Sequence, residues 1–85
     1  MDNELEKLPN IGKEAAAKLE KSGINTIKEL IRLGSKEAFL RVRIHADSEA
    51  CLSMLCGLEG AIQGIRWHNL SPEKKEELRM FYKSL

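Results

Sequence analysis

A basic excess is missing from this chain: 14 Lys and Arg face 13 Asp and Glu, for a net charge of +1. The balance is local as well, with six of each sign in residues 1–34, four of each in 35–70, and four basic against three acidic in 71–85. Proteins held on duplex DNA by counterion release show a basic excess or stripe, so strong independent DNA binding is disfavoured. Only two prolines occur and no long Gly/Ser/Pro linker divides the 85 residues, which predicts a single domain over 1–85. No apolar run approaches the roughly 18 residues a membrane span requires. The opening Met1-Asp2-Asn3-Glu4 has neither the basic nor the apolar region of a secretory leader. Cys51 and Cys56 are the only cysteines. Five positions apart on a helix they would point about 140° apart, too far to share a metal or pair easily. They are expected as buried thiols in a reducing cytoplasm, with no membrane contact.

Catalytic material is equally scarce. His45 and His68 lie 23 residues apart, and the chain holds no Gly-x-Ser-x-Gly, phosphate loop or His/Cys metal pattern. The expectation is a protein that is not an enzyme and carries no cofactor or metal.

What the chain does have is helix punctuation. Residues 2–8, acidic at Asp2, Glu4 and Glu6 and apolar at Leu5 and Leu8, predict a two-turn helix that Pro9 ends. A second helix is predicted from Gly12 to Ser22, stopped by Ser22-Gly23. Asn25 or Thr26 caps the next, with Glu29 placed for a capping box if Thr26 is the cap. Gly34 closes that helix and Ser35 caps another. Its Leu40, Val42, Ile44 and Ala46 alternate as in a strand, but a strand here would have no partner, so helix is predicted. Asp47 or Ser48 opens the longest helix, to about Gly64. It carries one seam through Cys51, Leu55, Leu58, Ile62 and Ile65, and a second of small residues that includes Gly57, Gly60, Ala61 and Gly64. Glycines inside a helix cost roughly 1 kcal/mol each against alanine. Close approach of another helix is the expected compensation. Ser71-Pro72-Glu73 starts a last helix, with Leu78, Phe81 or Tyr82, and Leu85 as its buried stripe. The class is all-α, a compact bundle of five to six short helices.

The binding candidates are few. Backbone amides of Asn10, Ile11, Gly12 and Lys13, at a helix start, form a candidate phosphate cradle, against the alternative that the turn merely joins two helices. Arg41 and Arg43, with Lys36 and His45, form the most basic local group, read either as a solvated face or as a small anionic contact surface. Gly57, Gly60, Ala61 and Gly64 form either a helix-packing face or a homodimer face. Trp67, the only tryptophan, is expected as a core or edge plug.

Several blocks carry a resemblance: Leu8-Pro9-Asn10-Ile11-Gly12, then Lys18 to Leu30, Gly34 to Arg41, Leu58-Glu59-Gly60-Ala61, and Trp67. In this order they resemble the C-terminal domain of the TfoX (Sxy) family of competence regulators, over about residues 5–80. The Gly23 to Leu30 block is also similar to the helix-hairpin-helix region found in several repair proteins and in the C-terminal domain of the alpha component of RNA polymerase. The resemblance implies a helix-hairpin-helix or SAM-like fold and a regulatory link to DNA-uptake genes, and brings no catalytic residues. Longer family members carry an α/β domain ahead of this one. Asn10 stands where DNA-binding hairpins usually have their first glycine. The expected action is through a protein partner, with weak DNA contact as a second expectation and homodimer formation as a third.

Overall fold

The computed structural model describes residues 3–85, and Asp2 of the expected first helix lies outside them. The order is a 3-10 turn (Glu4–Lys7), α1 (Lys13–Lys21), α2 (Ile27–His45), α3 (Leu52–Gln63), a second 3-10 turn (Trp67–Asn69) and α4 (Pro72–Lys83). The all-α class stands, but among the described residues there are four α-helices and no strand, not five to six helices. Residues 2–8 fall short of the expected two turns because Leu8, ahead of Pro9, is extended at φ −80°, ψ 148°.

The stop signals act as the sequence predicts. After α1, Gly23 takes φ +82°, and the amides of Ile24 and Gly23 donate back to the carbonyls of Leu19 and Glu20 at 2.9 and 3.0 Å. This paired closure satisfies carbonyls that the helix end would orphan. Thr26 caps α2, accepting from the Glu29 amide at 3.1 Å. The Glu29 carboxylate returns to the Asn25 amide and the Thr26 hydroxyl. Ser71 caps α4 through the Lys74 amide at 3.0 Å, with Pro72 in the first turn.

Gly34, at φ 82° and ψ 163°, breaks the helical path as the sequence predicts, so α2 is two helical stretches that meet at a kink. Two expectations change. Ser35 does not cap the second half of α2. It is buried, and its hydroxyl donates to Glu59 Oε1 on α3 at 2.6 Å. The helix expected from Asp47 or Ser48 starts only at Leu52. Asp47 instead holds a turn, accepting from the Glu49 amide at 3.0 Å and from Lys18 Nζ at 2.7 Å.

The alternation at residues 40–46 is helical: Ala38, Phe39 and Val42 point inward at helical spacing, while Ile44 is 74% exposed. α3 packs against α2, α4 and the second 3-10 turn, and α1 against α2 and the first 3-10 turn. Leu55 and Leu58 of α3 join Leu19, Leu30, Phe39, Val42 and Leu78 in the core. Leu78 is buried and Phe81 and Tyr82 half-buried, but Leu85 is exposed and outside the stripe predicted for it. No helix among the described residues is long and apolar enough to cross a membrane.

Candidate interaction site at the hairpin

Pro9 and Gly12 bracket a turn in which Asn10 has φ +69°, the sole left-handed non-glycine among the described residues. That conformation costs an L-residue roughly 1–2 kcal/mol, and asparagine tolerates it better than most. The side chain offsets the cost by turning inward. Asn10 Nδ2 donates to the carbonyls of Gly57 at 3.3 Å and Ile65 at 3.0 Å, and Oδ1 accepts from the Trp67 amide at 3.1 Å. One side chain thus ties the hairpin to α3 and to the segment that leaves it.

The small residues of α3 make room for this tie. A Cβ on Gly60 would sit 2.6 Å from Asn10 Nδ2 and 2.8 Å from the Ile65 carbonyl oxygen. On Gly57 it would lie 3.5 Å from Asn10 Cβ, ordinary contact. Gly57, Gly60 and Ala61 are buried within the chain, whereas exposed Gly64 ends α3 in a left-handed turn. The element that approaches this seam is a turn and not a helix.

Beside the tie, α1 and the start of α3 leave a groove of about 460 Å³, lined among others by Asn10, Glu14, Lys18, Cys51, Arg66 and Trp67. Ile11 is buried under the turn, and Gly12 and Lys13 are exposed beyond it. Gly12 gives the first-turn amides of α1 no side-chain cap. Trp67 is 37% exposed and its ring stacks on His68 with centroids 4.0 Å apart, so it is an edge residue and not core.

Of the charged side chains that line the groove, Lys18 is ion-paired. The Lys18–Asp47 ion pair at 2.7 Å raises the ammonium pKa and holds the carboxyl below its ordinary value, chiefly through their shared hydrogen bond. Cys51 is exposed at the N-cap of α3, where the Met54 amide lowers its thiol pKa. Cys56 is buried, which raises its own. The expectation of two buried thiols is therefore met at Cys56 only: with α3 beginning at Leu52, Cys51 precedes the helix.

The other predicted basic group is not gathered at the hairpin. Arg41 pairs with Glu37 at 3.2 Å. Arg43 lies over the rings of Phe39 and Tyr82, 5.8 Å from each. Lys36 bridges to Glu77 on α4 at 2.7 Å, and that contact holds the Glu77 carboxyl below its ordinary pKa. His45 and His68 are exposed. Among the described residues no three His, Cys, Asp or Glu side chains are grouped to hold a metal ion. The tie through Asn10 is what sequence reasoning missed. Its one available signal was the three-residue spacing of Gly57 and Gly60.

These features define an all-helical domain whose first hairpin is anchored into its central helix. The TfoX C-terminal domain family matches residues 1–82, and the chain belongs to that family. Two crystal structures from Listeria monocytogenes are similar to it. One is the triclinic form of an uncharacterized protein, 55% identical with a TM-score of 0.91, covering 94% of this chain and 90% of the other. The second is the tetragonal form of a protein of unknown function, also 55% identical at a TM-score of 0.91, covering 94% and 96%. No curated protein matches the chain.

Proposed function

We propose that this chain is a non-enzymatic regulatory module that acts through contacts with a protein partner, in the control of DNA-uptake genes that its family membership suggests. The observation that carries this reading is the inward turn of Asn10. A phosphate cradle needs a hairpin tip open to an incoming oxygen. Here the Ile11 amide already turns back to the Leu8 carbonyl at 3.4 Å, and the Asn10 side chain is committed inward to Gly57, Ile65 and Trp67. The even charge of the chain adds no long-range pull on a polyanion. The groove beside the tie, with an exposed aromatic edge and Arg66 at its wall, suits a protein contact better.

Capture of the chain's partners from its native cell, with and without nuclease, tests this reading. A specific protein partner retained after nuclease supports it; recovery that depends on nucleic acid contradicts it.

The uncapped first turn of α1 favours a second reading, in which its amides and Lys13 meet a DNA phosphate. In that case Lys13→Ala would weaken DNA binding and reduce its salt slope by about one. A homodimer remains a third proposal. It would use a surface other than Gly57, Gly60 and Ala61, which the hairpin and core already cover.

A further inference from the structure

We infer that Asn10 is a latch and that the segment from Ile65 to Asn69 is a strap it holds closed, with Trp67 as a movable partition between two grooves. The strap is closed at its ends by the Ile65 amide on the Gly60 carbonyl at 2.9 Å and the Leu70 amide on the Trp67 carbonyl at 3.2 Å, and has few fastenings between them. Within it, the amide of Asn69 bonds to the carbonyl of Arg66, a contact internal to the strap. The fastenings to the hairpin side are the Ile65 carbonyl and the Trp67 amide, and both end on the one side chain of Asn10. On the other side Lys75 Nζ reaches the His68 carbonyl at 3.0 Å, an exposed contact from a flexible stem. Beyond the strap, Leu70 is buried and fixes its far end; the closure of α3 through left-handed Gly64 and the Ile65 amide fixes its near end.

Trp67 lines both neighbouring grooves. On one side is the groove of about 460 Å³ with Asn10, Lys18 and Arg66. On the other is a largely apolar slot of about 390 Å³, floored by Leu52, Cys56 and Pro72 and edged by Lys75 and Arg79. The indole is their shared wall. Its ring stacks on exposed His68 and is itself 37% exposed, so its displacement once the amide is free gives up an edge position and not a place in the core. Release of two backbone contacts from Asn10, with the Ile65 amide still on the Gly60 carbonyl, then lets residues 66–69 swing outward and joins the grooves along one side of α3. Segments held by few contacts open locally while the core stays folded, which is the behaviour a strap requires.

Residue-resolved amide hydrogen exchange on the intact chain tests the latch. In the wild type, the Trp67 amide is expected to exchange through a local opening, at least about tenfold faster than the Leu58 and Ala61 amides of α3. Asn10→Gly keeps the left-handed backbone and removes the side chain. It is expected to speed Trp67 exchange by about a further tenfold and to open the indole to acrylamide quenching, with α3 protection retained. Trp67 exchange at the global unfolding rate in the wild type would overturn the latch. So would an unchanged Trp67 rate in a folded Asn10→Gly variant. If that variant does not fold, the wild-type comparison decides alone, because it needs no substitution.

Discussion

Asn10 Oδ1 accepts the backbone amide of Trp67 at 3.1 Å, across 57 residues of chain. The same side chain gives both its amide protons to carbonyls of α3 and its exit, so a turn at the protein's start is locked to a segment near its end. Local sequence hints at such a bond only through the spacing of Gly57 and Gly60. Its consequences are measurable at the glycines that admit it.

Gly60→Ala and Gly57→Ala should have opposite effects. Alanine at either position gains up to about 1 kcal/mol of helix propensity over glycine. At position 60 the new methyl would lie 2.6 Å from Asn10 Nδ2 and 2.8 Å from backbone oxygen, so the Asn10 tie or α3 must shift. Overpacking of this kind costs about 1–3 kcal/mol, and net destabilisation is expected. At position 57 the nearest atom is 3.5 Å away, and the variant should be neutral or more stable. Urea unfolding of both variants checks the contrast.

The two thiols should separate cleanly by reactivity. Cys51 is exposed, and the Met54 amide favours its thiolate. Cys56 is buried, which favours its thiol form. In the folded chain iodoacetamide should alkylate Cys51 first, with Cys56 reacting only on unfolding. Mass spectrometry after a timed quench reads the order.

The Lys18–Asp47 pair should widen the pH range of full stability slightly at both ends. The Asp47 pKa is lowered in the fold, so its contribution is present above its unfolded value and is lost as pH falls through the folded one. The Lys18 pKa is raised, so its contribution is present below its unfolded value and is lost as pH rises through the folded one. Both side chains are half-buried and still reached by solvent, so the effect is small and salt-sensitive. Thermal unfolding of wild type and Lys18→Met should differ across the neutral range and converge in strong acid and strong alkali.

Much of the fold was legible because its signals are local. Thr26 with Glu29, Ser71 with Pro72, and Ser22-Gly23 each act within a few residues, and each cap or stop lies where the sequence places it. The start of α3 was not, because Asp47 and Ser48 are good caps by composition, whereas Asp47 spends its carboxylate on Lys18, 29 residues away. The first helix shrank to one 3-10 turn because Pro9 left it no room. Of the candidate site, the small residues of α3 were readable. The inward role of Asn10 was not, since partners 47 to 57 residues distant leave no periodicity.

The proposed function assigns the hairpin to the fold and to a protein contact rather than to duplex DNA. Fluorescence anisotropy of labelled duplex DNA, titrated with the chain at about 150 mM salt, tests it most directly. The account predicts no saturable binding below micromolar protein. Sub-micromolar binding whose salt slope falls when Lys13 is replaced by alanine would contradict it.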